Sequence, residues 1–227
     1  WLRGGRMRNC IKSYHVFLSS RLFQVLLYVL YPLVMAFITL IFVCASLGFG
    51  YGIGMGYQLS VNLLFAGEAF WGYWIFGGVA AKDTNKLEYL KTSVKGMPVL
   101  KTAIIVDTIR RVIWVTAIQW IPLFIAMEKP DESIWLANAM VLLFAELGCL
   151  LERKSSSMAM FLGVVIGGST LLAPLLGLTM MIAHQIWPIV LCYVLAVVVM
   201  ILNIKMVMKK ARDSFYDDRN EKMSEAV

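Results

Sequence analysis

The stretch LFQVLLYVLYPLVMAFITLIFVCASLG, Leu22 to Gly48, carries no charged side chain from end to end. An α-helix rises about 1.5 Å per residue and the hydrocarbon core of a bilayer is about 30 Å thick, so roughly 20 apolar residues cross it. Leu22 to Gly48 exceeds that need. It is also too long for the apolar core of a cleavable signal peptide, and it lacks an A-x-A-like exit. It points to lipid, rather than water, as the solvent of this segment.

The rest of the chain agrees. Of 227 residues, 60% are hydrophobic and only 15% are charged, with a mean hydropathy of +0.75. A soluble domain carries nearer about a quarter charged residues. Five further apolar segments follow, at about Leu59–Ala81, Val112–Met127 (its helix starting earlier, near Val99), Ile134–Leu151, Met158–Leu178 and Ile182–Ile204. They predict an all-α, polytopic membrane protein: six transmembrane helices in a single domain over residues 1–227, with a cytoplasmic tail at 205–227. No room remains for a large soluble domain.

An even number of spans puts both ends on one side. That side holds Arg3, Arg6, Arg8, Lys12 and Arg21 at the start, and Lys82, Lys86, Lys91, Lys95, Lys101, Arg110 and Arg111 between spans two and three. It also holds Arg153 and Lys154 between spans four and five, and Lys205, Lys209, Lys210, Arg212, Arg219 and Lys222 in the tail. Of the 21 Lys and Arg residues, Lys129 alone falls opposite. Cations accumulate on the cytoplasmic side of membrane proteins, so the expected location is the plasma membrane, multi-pass, with both termini cytoplasmic. The net charge of +7 then faces anionic lipid headgroups and gives no ground for a nucleic-acid partner.

Two inner segments have further pattern. Between Met7 and Arg21, the apolar residues Ile11, Tyr14, Phe17 and Leu18 recur at three- and four-residue steps among Arg8, Lys12 and Arg21. This predicts an N-terminal amphipathic helix lying along the inner membrane surface. The segment Lys82 to Arg111 reads KDTNKLEYLKTSVKGMPVLKTAIIVDTIRR. Asn85 suits a helix N-cap with Glu88 in the first turn, and Leu87, Leu90 and Val94 lie at helical spacing. Gly96-Met97-Pro98 then breaks the helix, and a second one restarts at Val99 and rises into span three.

This order of parts resembles the membrane subunit of type 2 ATP-binding-cassette (ABC-2) exporters: a basic amphipathic helix, two spans, a short inner helix ending in LEYLKTSVKGMPVLK, four more spans and a basic tail. In that family the inner segment between spans two and three is a coupling helix docked on the nucleotide-binding domain. The resemblance implies that Asn85, Leu87, Glu88, Leu90, Lys91 and Val94 meet a cytoplasmic ABC ATPase, with Pro98 marking the helix break. The family's usual Leu-Pro step is Met97-Pro98 here. It further implies a permease that moves a small amphipathic substrate (peptide, drug or lipid) and pairs with a second copy or a related permease.

A search for chemistry finds little. No G-x-x-x-x-G-K-[ST] phosphate cradle occurs, so ATP and Mg would sit on a separate ATPase subunit, and no cofactor is expected on this chain. No H-E-x-x-H or G-x-S-x-G occurs, and His15 and His184 lack companions for a metal site, so an enzyme is not expected. Cys10, Cys44, Cys149 and Cys192 are scattered and read as small buried side chains. Polar residues inside spans are the remaining candidates for a pathway: Glu68, Asn62, Gln119 and Glu146. Glu146 suits pairing with Arg110, Arg111 or Arg153, whereas Glu68 has no evident mate and is a proton-sensitive or pathway candidate. Gly163, Gly167 and Gly168 read as a close helix approach in span five. An ion-coupled transporter or channel using Glu68, or a non-transporting scaffold, stay open as alternatives.

Overall fold

The computed structural model describes residues 12–18, 20–50, 53–77, 96–126, 132–153, 157–180 and 186–225. Every regular element among them is helical. Helix α1 is Arg21–Gly48, α2 Ile53–Phe76, α3 Gly96–Ile125, α4 Glu132–Glu152, α5 Met158–Met180 and α6 Ile186–Glu225. Among the described residues, three stretches are long and apolar enough to cross a membrane: Arg21–Gly48, Ile134–Glu152 and Ile186–Arg212. Met158–Leu172 is a shorter apolar helix.

Helix bounds depart from the sequence expectation in ways that local chemistry explains. Ser20 caps α1, its hydroxyl accepting from the Phe23 N–H at 3.4 Å. Within α1, Leu26–Leu30 forms a π-turn just before Pro32. Proline has no N–H and its ring crowds the carbonyl four residues back, and a wider turn relieves that clash. Helix α2 begins at Ile53, six residues before the expected Leu59, and ends at Phe76, after which Gly77 turns. Helix α3 is already helical at Gly96 rather than Val99. Pro98 therefore sits in a first turn, where the missing N–H has no intrahelical partner to lose. Helix α6 does not stop at Ile204 but runs on to Glu225. Its tail has no Gly or Pro and is rich in Lys and Met, with Arg212 and Arg219, all good helix formers.

The N-terminal segment also differs. Instead of one amphipathic helix through Arg21, residues 12–15 make a single helical turn and the chain bends before Ser20. Tyr14 and Leu18 are buried against Leu27, Trp71, Phe76, Leu100, Ile104 and Val207. The segment is thus packed into the helices, not laid flat on a surface. Residues 7–11 of that expectation, Asn85 to Val94 of the inner segment, and Cys10 and His184, lie outside the described residues.

Helix α4 is the centre of the packing, touching α2, α3, α5 and α6. Its apolar window is 67% buried, against 22% for α1 and 11% for α6, which leaves α1 and α6 with long apolar outer faces. Such faces suit lipid. Cys149, on α4, is buried, but Cys44 is exposed and Cys192 only partly covered, so burial explains just one of the three described thiols. Asn138 donates to the Thr116 hydroxyl at 3.3 Å and so joins α4 to α3.

The glycines of α5 divide sharply. A Cβ at Gly168 would strike the Phe65 ring of α2, whereas Gly163 and Gly167 have nothing within 4 Å. Of these three, only Gly168 marks a close approach. Phe65 is itself held edge-on by Phe144, with centroids 6.4 Å apart. Gly168→Ala is therefore expected to lower stability by about 1–3 kcal/mol through overpacking. Gly163→Ala should leave it unchanged or slightly raised. Thermal unfolding in detergent checks the pair, and equal melting of the two variants would refute the close packing of α5 on α2.

Candidate functional site

The four candidate polar residues part company in the structure. Glu68 and Glu146 are fully buried and belong to one cluster. Asn62 lies six residues before Glu68, about 9 Å along α2. Gln119 is buried but lies eight residues beyond Arg111, about 12 Å along α3. Neither belongs to the cluster. Pro98 sits in the first turn of α3 and its carbonyl accepts from the Thr102 hydroxyl at 2.8 Å.

The cluster is organised by one helical turn of α3, Asp107 to Arg111. Residues three and four apart on a helix share a face, so Asp107 meets both Arg110 (Oδ1 to Nε, 3.3 Å) and Arg111 (Oδ2 to Nη2, 2.9 Å). Arg153, just past the end of α4, donates from Nη2 to the same Oδ2 at 3.0 Å. Tyr14 completes the set, its hydroxyl donating to Oδ1 at 2.9 Å. Burial, and then the Asp107 charge beside it, push the Tyr14 phenol well above its ordinary range, which keeps it protonated as a donor.

The two arginines then reach the other helices. Glu68 of α2 accepts from Arg110 Nη2 at 2.9 Å and from Arg111 Nε at 3.2 Å, both on Oε2. Glu146 of α4 pairs with Arg111 Nη1 and also accepts from the Asn203 amide of α6 at 2.9 Å. One guanidinium, Arg111, thereby fastens three carboxylates on three helices, which the planar fork of arginine permits and an ammonium does not. Glycines let the helices close around it. A Cβ at Gly67 would press on the Tyr31 ring, and one at Gly72 would lie 2.7 Å from Cys149 Sγ and 3.0 Å from Glu152 Oε2.

Glu146 pairs with Arg111, one of the three inner cations expected for it. Glu68, for which none was evident, has two. Arg110, Arg111 and Arg153, expected at the inner headgroups, are instead buried, 5% exposed or less. Buried ions of this kind must be paired and hydrogen-bonded, since isolated charges in apolar surroundings cost several kcal/mol each. The sequence signal that could have found the centre is the spacing Asp107, Arg110, Arg111 on one helix face, in a helix otherwise apolar.

Comparison with family models, with curated proteins and with solved structures finds no match to this chain.

Proposed function

We propose that the chain is the membrane-spanning subunit of an ATP-driven exporter of the ABC-2 type, with its ATPase on a separate cytoplasmic polypeptide. All six helices would cross the plasma membrane, with both termini and the segment between α2 and α3 cytoplasmic. The one-sided distribution of Lys and Arg supports that orientation. The charge cluster would then lie toward the inner ends of the bundle.

The observation that supports the proposal most is the course of α3. It starts at Gly96, directly after the inner segment, and runs without interruption through the cluster to Ile125. Gly96 and Asp107 are eleven residues apart, about 16 Å along the axis. A push on the inner segment would travel through a stiff rod to the residues that fasten α2, α4 and the N-terminal turn. An ATPase that docks on Asn85 to Val94, binding ATP and Mg itself, would favour one arrangement of the bundle by differential contacts. A second copy of the chain or a related permease would complete the pathway. A small amphipathic peptide, drug or lipid is the substrate class that the apolar walls suit.

An ion-coupled transporter or channel is the alternative that a specific observation favours, because four carboxyl side chains are buried among these helices. Purification in mild detergent, followed by an ATPase assay on whatever accompanies the chain, separates the two. The exporter predicts a stoichiometric ATPase that is lost when Leu87 and Leu90 become Asp. A chain that purifies alone and whose transport follows an ion gradient would overturn it.

A further inference from the structure

Seven ionisable side chains of the Asp, Glu and Arg types are buried among the described residues, and all belong to the one region: Glu68, Asp107, Arg110, Arg111, Glu146, Glu152 and Arg153. Three guanidiniums face four carboxyls. Fully ionised, the set would hold a surplus negative charge away from water. A buried group with no counter-charge is neutralised rather than left ionised. A bound water could hydrogen-bond to such a set but could not supply the missing charge.

The partners decide which carboxyl is neutral. Glu68 takes two guanidinium contacts. Asp107 takes three, with the Tyr14 hydroxyl in addition. Glu146 has Arg111 and Asn203. Glu152 is fully buried, yet neither of its oxygens accepts a hydrogen bond. Its surroundings are Arg111 and Asp107 from α3, Cys149 and Arg153 from its own end of α4, and the Gly72 backbone of α2, with α6 contributing Asn203 to Glu146 beside it. No three His, Cys, Asp or Glu side chains among the described residues converge as metal ligands would.

We propose that Glu152 is a proton-binding site inside the bundle: a neutral carboxylic acid whose proton balances the charge cluster. The site also has a built-in responder. Arg153 commits Nη2 to Asp107, but its Nε and Nη1 have no partner, and its guanidinium lies over the Phe76 ring, 5.2 Å from the centroid. When Glu152 gives up its proton, Arg153 is the cation free to turn toward it, which loosens the hold of Asp107 on the end of α4. Proton binding and the tie between α3 and α4 are thereby linked, whether or not an ATPase drives the protein.

Infrared difference spectroscopy of the purified full chain in detergent tests this directly. Exposed glutamates titrate near about pH 4.3 and are ionised at neutral pH, so a C=O stretch of a protonated carboxyl at neutral pH reports a buried acid. The expected result is such a band in the wild type, lost as the pH is raised and absent in Glu152→Gln. Should Glu152→Gln fail to accumulate, Glu152→Asp keeps a carboxyl and must shift the band and its titration midpoint. A wild type without the band, or a band that neither variant moves, would overturn the assignment. The measurement involves neither ATPase nor transport, so its failure and the failure of the exporter proposal are distinct.

Discussion

Arg111→Ala is expected to lower the stability of the purified protein by about 3–5 kcal/mol, as removal of one member of a buried ion network does. The side chain is fully buried and is the one cation that pairs with Glu68, Asp107 and Glu146 together. Its loss leaves α2, α3 and α4 joined mainly through Arg110 and Arg153, with Glu146 retaining only Asn203 of its partners. Arg111→Lys should recover a minor part, because a single ammonium cannot point at three carboxylates in three directions. Cys149 is buried in the same region and provides the readout. Its reaction with a thiol reagent on heating should begin well below the wild-type temperature in Arg111→Ala. Wild-type melting in that variant would mean that the bundle is held by its apolar contacts alone.

Asp107→Asn should cost a comparable amount, about 3–5 kcal/mol, for the opposite reason: it strands positive charge. Arg110, Arg111 and Arg153 all converge on this carboxylate, and Tyr14 reaches it from the N-terminal turn. Limited proteolysis should then cut the N-terminal turn faster than in the wild type, since its hydroxyl anchor loses a charged acceptor. The double variant Arg111→Ala, Asp107→Asn should lose less than the sum of the two, because the same contact is removed twice. Strict additivity would show that the two residues do not act as a unit. Asp107→Asn also removes one of the four acids, so Glu152 should ionise, which offsets part of that cost, and its carboxylic acid band should disappear.

The helices were legible in the sequence because uninterrupted apolar runs and flanking charge report directly on burial and length. Leu22 to Gly48 and Ile134 to Leu151 fall on helices at nearly those bounds. Glu146 was legible too, because it lies toward the inner end of its span, within reach of cations such as Arg110, Arg111 and Arg153 at the inner ends of spans three and four. The pairing of Glu68 was not, since Arg110 and Arg111 are 42 and 43 residues away and meet it only once α2 and α3 are packed. The same limit hid the partner of Asn203, which reaches Glu146 across 57 residues. The N-terminal turn was misjudged for a different cause. An amphipathic spacing tells which side is apolar, but a lipid surface and a protein cleft cover that side equally well, and the Tyr14 hydroxyl decides for the cleft by finding Asp107.

The π-turn at Leu26–Leu30 has a geometric consequence for α1 as a whole. In a regular helix each residue advances about 100°, so Phe23 and Tyr31, eight positions apart, would point about 80° away from each other. A π-turn absorbs one extra residue, which brings the two side chains back to within about 20° of one azimuth. Both in fact meet α2, Phe23 against Trp74 with ring centroids 5.5 Å apart and Tyr31 against Trp71 at 6.1 Å. The wide turn thus sets the rotational phase between the two halves of α1. Deleting one residue within it would restore a regular helix with the two residues seven positions apart, still within about 20° of one azimuth, so both aromatic contacts with α2 should survive.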